Sequence, residues 1–128
     1  MERIIKFRVW DNRRKEMLYS DTGDLIYWDF KGGWSTTRSK DRFVLNNGNA
    51  ELMQYTGSKD KDNKNEVYHN DIVYDYLTNR WYIIEWDKGN AEFYLKGINT
   101  SNDYFHLICL MEKKGNVFEN PELIKNLK

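Results

Sequence analysis

Residues 67–86 read VYHNDIVYDYLTNRWYIIEW, and they contain two runs rich in β-branched and aromatic residues. Val67–Leu77 and Trp81–Trp86 are these runs, and their residue types are typical of strands. Thr78-Asn79-Arg80 lies between them and has the polar composition of a turn. This part of the chain therefore predicts two consecutive strands.

Two further strands are predicted downstream, at Ala91–Leu95 and Phe105–Met111. Polar stretches at Asp87–Asn90 and around Asn99–Asp103 separate them. Short strands at this spacing predict a small barrel or a strongly bent sheet. Asn120-Pro121-Glu122 then predicts a short C-terminal helix, because Asn caps, Pro suits the first helical position, and an acid complements the helix dipole.

The N-terminal part of the chain alternates with period two. In Ile4–Trp10, apolar residues at 5, 7 and 9 alternate with cations at 6 and 8, which predicts a half-buried strand. Met17–Ser20 is a predicted returning strand, and Leu25–Phe30 is a further one. The first part of the chain is therefore expected to be β-rich as well.

The segment that follows allows two interpretations. Arg42–Leu45 and Glu51–Tyr55 flank Asn46-Asn47-Gly48, which predicts a hairpin because Asn-Gly accepts positive φ. Alternatively, residues 36–46 form a short helix. Thr56–Glu66 is polar and rich in Asp and Asn, which predicts a long exposed turn.

The overall composition excludes several classes of protein. Asp and Glu balance Lys and Arg at 20 each, so no overall field favours nucleic acid or an anionic membrane. Aromatic residues make up 16% of the chain and are expected to supply much of the core. No apolar run approaches the ~18–20 residues of a membrane span. We therefore expect a protein of the cytoplasm with no membrane partner.

No residue pattern points to catalysis, a cofactor or a metal. His69 and His106 have no nucleophile, metal ligand or suitably oriented carboxylate beside them in the sequence. Cys109, the only cysteine, lies among hydrophobic residues and is expected in the core. Asp60–Glu66 superficially resembles a calcium loop, but Lys64 stands where an oxygen ligand is needed.

One segment has the composition of a surface for a partner or for nucleic acid. Lys31, Arg38, Lys40 and Arg42 surround Trp34. Basic residues interleaved with an aromatic residue can follow a phosphate backbone and stack a base. The zero net charge lacks the usual electrostatic signature of a nucleic-acid-binding protein. The five residues are therefore a candidate surface for a partner or for single-stranded nucleic acid.

Four motifs, in this order along the chain, resemble the YopX family, which is found mostly in bacteriophages and prophages of Gram-positive bacteria. They are Phe7–Asp11, Leu52–Gly57 followed by Lys59-Asp60, Val67–Val73 and Asn116–Leu123. The family usually has a Glu-Gly-Asp type of sequence where this chain has His69-Asn70-Asp71. Asn can replace Gly at a positive φ, so this difference is compatible with the same fold.

The resemblance implies a mainly β fold, with a small SH3-like barrel over roughly residues 52–120. We therefore expect an N-terminal β-rich subdomain at residues 1–50 and the barrel region with its short C-terminal helix at residues 51–128, the two forming separate parts or one compact unit. The resemblance carries over no active-site residue to this chain.

The functional expectation is a phage-encoded, non-enzymatic binding or assembly protein in the cytoplasm of a bacterial host. Its expected partners are a second copy of the chain, as a homo-oligomer, and an unidentified host or phage protein. Binding of single-stranded nucleic acid is the alternative. A third hypothesis is an enzyme that uses only carboxylates, such as Glu85 and Asp87.

Overall fold

The computed structural model of the chain describes residues 4–12, 14–20, 26–28, 34–36, 43–45 and 50–126. These residues form a mainly β structure with a short C-terminal helix, which confirms the predicted fold class. The helix α1 is Pro121–Lys125, and 3-10 helices cover Lys61–Asn63 and Phe105–Leu110. In chain order the described strands are β1 (Phe7–Asp11), β2 (Glu16–Tyr19), β3 (Ile26–Trp28), β4 (Trp34–Thr36), β5 (Phe43–Leu45), β6 (Ala50–Lys59), β7 (Glu66–Tyr68), β8 (Asp71–Asp75), β9 (Arg80–Asp87), β10 (Glu92–Gly97), β11 (Asp103–Tyr104) and β12 (Met111–Asn116).

The chain divides into two compact units, Ile4–Gln54 and the residues from Tyr55 onward. In the first unit, β1 pairs antiparallel with β2 and with the first half of β6, which confirms the predicted returning strand. The strands β3, β4 and β5 form a separate antiparallel sheet. The prediction of a half-buried first strand is wrong, because four consecutive residues from Arg8 to Asp11 are buried. Neighbouring strand residues face opposite sides, so β1 is covered on both faces.

The predicted hairpin around Asn46-Asn47-Gly48 is wrong in its strand pairing. The strand β5 pairs with β4, whereas β6 pairs with β1 and β7. The three turn residues themselves lie outside the described residues. The alternative prediction of a helix over residues 36–46 is wrong for the described residues of that range, because Thr36 and Phe43–Leu45 are in strands. A local turn signal does not select the partner of a strand, since that choice depends on contacts between distant residues.

The second unit is built on an antiparallel sheet with the strand order β11-β10-β9-β8-β12. The predicted strand at Trp81–Trp86 is confirmed as β9, and the next predicted strand corresponds to β10. Register places Val73 opposite Tyr82, and Ile84 opposite Leu95, so one face of the sheet is continuously apolar. That face forms the core of the unit, together with Val67, Ile108 and Met111.

The single strand predicted at Val67–Leu77 is in fact two strands, β7 and β8, separated by a turn. Asn70 has a φ of 72° there, in the left-handed region that Asn tolerates better than most residues. The buried carboxylate of Asp71 accepts a 2.7 Å hydrogen bond from the backbone N–H of Tyr68 and closes the turn. The Asn and Asp chemistry at this point therefore interrupts the apolar run.

The exposed turn predicted at Thr56–Glu66 is shorter than expected, since only residues 61–64 are exposed in succession. The strand β6 continues to Lys59, and Asp60 is buried. The Asp60 carboxylate accepts hydrogen bonds from the backbone N–H and the Nδ2 of Asn65, at 2.7 and 3.0 Å. It accepts a third, of 2.8 Å, from the backbone N–H of Lys113 in β12. A polar side chain can be internal when it satisfies backbone donors, and composition alone does not reveal this.

The strand predicted at Phe105–Met111 is wrong, because Phe105–Leu110 is a 3-10 helix and β12 begins only at Met111. A 3-10 helix repeats every three residues, so Phe105 and Ile108 both face the core. Cys109 then points away from the core and is exposed. The expectation of a buried thiol is therefore wrong for the same geometrical reason.

The predicted helix start at Asn120-Pro121-Glu122 is confirmed, with Pro121 as the first residue of α1. The expected capping bond is not formed by the side chain of Asn120. Its Oδ1 instead accepts a 3.1 Å hydrogen bond from the backbone N–H of Asn116 at the end of β12. No helix among the described residues combines the length and apolar content required to cross a membrane.

Candidate functional site

The candidate surface derived from the sequence lies mostly outside the described part of the chain. Lys31, Arg38, Lys40 and Arg42 are not among the described residues. Trp34 begins β4, where only the backbone is described. The hypothesis that these five residues bind a partner or nucleic acid stays a prediction, and the site below is built from other residues.

His69 has a carboxylate neighbour that its sequence surroundings do not reveal. It lies in the turn between β7 and β8, and its Nε2 is 3.9 Å from Oε2 of Glu85 in β9. Its ring also faces Phe93, with ring centroids 6.3 Å apart. The view that His69 lacks a partner is wrong, because antiparallel pairing of β8 with β9 brings residues distant in sequence beside the turn.

His106 and Cys109 lie on the exposed side of the 3-10 helix between β11 and β12. The ring of His106 is stacked on that of Tyr104, with centroids 5.9 Å apart. The thiol of Cys109 donates to the backbone carbonyl of His106 at a sulfur–oxygen distance of 3.4 Å. This contact uses the histidine backbone and leaves its ring oriented elsewhere, so the arrangement is not a Cys–His pair.

The carboxylates proposed as an enzyme site have separate partners. Glu85 faces His69, whereas the Asp87 carboxylate accepts hydrogen bonds of 2.9 Å from the Gly89 backbone N–H and the Asn90 side chain. These bonds, that from Asn90 first, hold the pKa of Asp87 below its ordinary value. Among the described residues there is no group of three or more His, Cys, Asp or Glu side chains arranged to hold a metal.

The strands β9, β10 and β11 surround an open cleft of about 620 Å³. We call it the aromatic groove. Its apolar walls are Trp86, Tyr94 and Tyr104. The remaining lining is polar and consists of Asp87, Lys88, Asn90, Glu92, Asn102 and Asp103. The groove thus combines flat rings with acidic groups at one edge of a sheet.

The sheet register places the groove's rings on two faces of the sheet, Tyr94 and Tyr104 on one and Trp86 on the other, although all three line the cleft. Tyr94 pairs with Tyr104 across β10 and β11, so both side chains lie on the same face. Trp86 pairs with Phe93 across β9 and β10, and their rings meet edge to face at a centroid distance of 4.9 Å. Phe93 in turn contacts Phe105 at 5.9 Å. The Trp86 ring is therefore part of a row of contacting rings with Phe93 and Phe105.

Two of the groove's rings are unusually accessible. Tyr104 is 73% exposed and Trp86 is 42% exposed. Burying a large aromatic side chain is favourable, and such side chains are enriched where proteins bind partners. An accessible tryptophan and tyrosine on the rim of one cleft are therefore the strongest indication of a binding site in the described chain.

The groove is acidic. Asp87 and Glu92 are directly opposite each other in the register of β9 and β10, and Asp103 lies in β11. Lys88 is the cation among the lining residues. Like charges directly opposite each other on a sheet repel, so the pair of Asp87 and Glu92 is unfavourable in itself. The arrangement favours a positively charged group.

A second exposed aromatic, Tyr76, lies at the other edge of the sheet within a network of charges. Its hydroxyl donates to Glu112 at 2.9 Å and accepts from Lys114 at 2.8 Å. The bonds from Lys114 and then Tyr76 lower the pKa of Glu112, and those with Tyr76 and then Glu112 raise the pKa of Lys114. Lys61 and Lys114 also lie over the Tyr76 ring, at 5.6 and 5.2 Å. This patch is basic around its ring, whereas the groove is acidic.

Among the groove residues the sequence analysis singled out only Asp87, as a candidate carboxylate, and none of the rings. Trp86 is one of several strand aromatics, for which core packing is the commonest role. Period two does place Trp86 on the same face as Ile84, but it does not reveal that the face ends at an open edge. The short β11 next to the polar stretch around Asn99–Asp103 was the available signal, since such stretches flank accessible side chains.

A family model described as YopX protein matches residues 6–125 of the chain. Two crystal structures are similar in fold. One is protein EF1440 from Enterococcus faecalis, with 22% identity, a TM-score of 0.62 and coverage of 96% of this chain and 99% of that one. The other is protein yopX from Bacillus subtilis, with 22% identity, a TM-score of 0.60 and coverage of 93% and 95%. No curated protein matches the sequence.

Proposed function

The chain belongs to the YopX family, and from this premise we propose that it is a phage-encoded accessory protein that acts by binding rather than by catalysis. The proposed place of action is the cytoplasm of the bacterial host. The observation that carries the proposal is the aromatic groove, in which accessible Trp86 and Tyr104 line an open cleft. We propose that an unidentified host or phage protein binds there.

The physical support for a protein partner comes from the groove's chemistry. Tryptophan and tyrosine are enriched among the residues that dominate binding energy at interfaces. Trp86 rests on Phe93, so little side-chain freedom is lost when a partner covers it. Polar groups around the rings can form the wet rim that surrounds such anchors. These properties suit a surface that binds a partner repeatedly in one geometry.

The proposal extends to the fold of the second unit, which we interpret as an SH3-like barrel. Five antiparallel strands and a 3-10 helix before the last strand support this interpretation. Barrels of this type often serve as adaptors, which is an argument from analogy.

Affinity capture from phage-infected host cells tests the proposed function. The bait proteins are the wild type, a groove variant with Trp86→Ala and Tyr104→Ala, and Tyr76→Ala as the matched exposed-aromatic control. We expect a partner that the wild type and the control retain and that the groove variant loses, provided that all three give folded NMR spectra. Equal retention by all three baits would refute the groove as the binding surface.

Self-association is the second part of the proposal. The accessible rings would also suit a homo-oligomer, in which a second copy covers apolar surface. Light scattering over a range of concentrations should then show a mass that rises with concentration. A strict monomer at every concentration would refute the homo-oligomer and leave the binding of another protein to the capture experiment.

Binding of single-stranded nucleic acid is the alternative function, and one described surface favours it. Lys61 and Lys114 flank the exposed ring of Tyr76, which is a combination that can hold a phosphate and stack a base. Binding of this kind weakens steeply as salt rises. A gel-shift series with DNA and RNA oligonucleotides would show such binding for the wild type and a loss in Tyr76→Ala. No shift at low salt would refute it.

A further inference from the structure

We propose that the aromatic groove binds an extended segment of a partner protein by receiving an arginine side chain between its rings and its carboxylates. The inference rests on the proposed function, because it names the chemistry of the partner that the groove would recognise. The groove's charge, its rings and its length each favour an arginine-bearing extended segment as the occupant.

The charge of the groove selects a cation. Asp87, Glu92 and Asp103 line it together with a single lysine, Lys88. Hydrogen bonds from Asn90 and Gly89 already favour the ionised form of Asp87, whose pKa is lowered. The opposed pair of Asp87 and Glu92 is unfavourable alone and becomes favourable when a positive group lies between the two carboxylates. The occupant therefore carries positive charge at the groove.

The rings select a flat cation. Tyr94 and Tyr104 lie on the same sheet face as Asp87 and Glu92. The accessible ring of Trp86 lines the same cleft from the opposite face. The planar guanidinium of arginine stacks on such faces and also donates a fork of hydrogen bonds to a carboxylate. A lysine ammonium is a compact, strongly hydrated charge and gains less from a flat wall. The combination of rings and carboxylates in one cleft therefore favours arginine.

The length of the surface favours an extended segment. A smaller cleft of about 210 Å³ adjoins the groove and shares Glu92, Tyr94 and Tyr104 with it. The strand β11 pairs with only Tyr94 and Leu95 of β10, so Glu92 and Phe93 lie beyond the paired part of that edge. An extended chain can follow such a sheet edge and place one side chain in the groove.

The test uses fluorescein-labelled peptides with the repeating sequence Gly-Arg and measures fluorescence anisotropy at low salt. The matched control peptide carries citrulline, which has the size of arginine but no charge. We expect the arginine peptide to bind and the citrulline peptide to bind at least roughly tenfold more weakly, as expected for the loss of one charge-assisted contact. A lysine peptide should fall between the two.

Protein variants locate the binding. Glu92→Gln and Trp86→Phe should each weaken binding of the arginine peptide, Glu92→Gln by roughly tenfold. Glu112→Gln, at the other edge of the sheet, should leave it unchanged. On the wild-type protein, the peptide should also shift the Trp86 indole NMR signal, which is assigned from the Trp86→Phe spectrum. The binding signal is thus read on the wild-type protein, and Trp86→Phe serves only to assign it.

Each result has a defined meaning. Equal binding of the arginine and citrulline peptides, or binding unaffected by Glu92→Gln, would overturn the inference. Equal binding of the lysine peptide would overturn the choice of arginine. If no cationic peptide bound while the groove variant still lost its captured partner, the inference would be refuted and the proposed function would stand. If no cationic peptide bound and the groove variant also kept its captured partner, both the inference and the proposed function of the groove would be refuted.

Discussion

Replacing Asp60 by alanine should lower the free energy of unfolding by about 2–4 kcal/mol. The Asp60 side chain is 2% exposed. Its carboxylate accepts hydrogen bonds from the backbone N–H of Asn65, the Nδ2 of Asn65 and the backbone N–H of Lys113. It therefore connects the turn that follows β6 to β12, which is at the edge of the five-stranded sheet.

The magnitude follows from what alanine leaves behind. Two backbone N–H groups, of Asn65 and Lys113, lose their acceptor in a mostly shielded place, and each such loss costs about 1–3 kcal/mol. The side chain of Asn65 is only half-buried and can turn to water, so its lost bond adds little. Removing a buried charge returns part of its desolvation cost, which brings the sum to about 2–4 kcal/mol.

A matched pair of substitutions isolates the buried carboxylate. Asp60→Asn retains one acceptor oxygen but directs an NH₂ group at N–H donors, so we expect a loss of about 1–3 kcal/mol. Asp62→Asn makes the same chemical change at an exposed position with a φ of 63°, which asparagine tolerates, and should change stability by less than about 0.5 kcal/mol. Asp62 therefore controls for the loss of one negative charge in the same turn.

The measurement is urea unfolding followed by tryptophan fluorescence, with amide hydrogen exchange at Lys113 as the local probe. The exchange rate of this amide should rise in Asp60→Ala and remain as in the wild type in Asp62→Asn, because only the first change removes its acceptor. If the Asp60 and Asp62 variants had the same stability and the same exchange at Lys113, the turn would not be held by the carboxylate and the reasoning would be wrong.

Three further predictions concern other parts of the second unit. Lys114→Gln should raise the pKa of Glu112 towards its ordinary value, since the bond from Lys114 is the main cause of the lowering, and an NMR titration showing no rise would contradict this. Gly97→Ala should lower the free energy of unfolding by about 1–3 kcal/mol, measured by heat or urea, because the added methyl overlaps carbonyl oxygens of the following turn. Gly89→Ala is the control and should lower it less, since its nearest contact is a side-chain oxygen at 3.3 Å. Cys109, the only cysteine, is exposed and should react with a thiol reagent in the native protein, and reaction only after unfolding would show that it is buried after all.

Two strands of the second unit, β9 and β10, were predictable because their signals are local. Runs of β-branched and aromatic residues with polar turns between them identify β9, and Asn-Pro-Glu identifies the start of α1. The errors occur where a local pattern suits two conformations. Residues 105–110 have the composition of a buried strand, and only the three-residue repeat that turns Phe105 and Ile108 towards the core distinguishes a 3-10 helix.

The wrong predictions at the polar residues Asp60 and Asp71 have a different cause. Composition describes Asp60 and Asp71 as turn residues that prefer water. In the folded chain, both carboxylates are buried because they accept hydrogen bonds from backbone N–H groups that the turns leave without strand partners. Whether such donors point inward depends on where the turn lies relative to β12. A single sequence contains the side chain that satisfies the donors but not their position.

The family motifs, the mainly β character and the short C-terminal helix follow from the amino-acid sequence alone, because side-chain alternation and capping chemistry act over a few residues. The partner of each strand, the contact between His69 and Glu85, and the exposure of Trp86 and Tyr104 are set only in the tertiary structure. These properties depend on register and on where a sheet ends. The aromatic groove lies where the short β11 pairs with only two residues of β10, and no local pattern in the chain specifies that geometry.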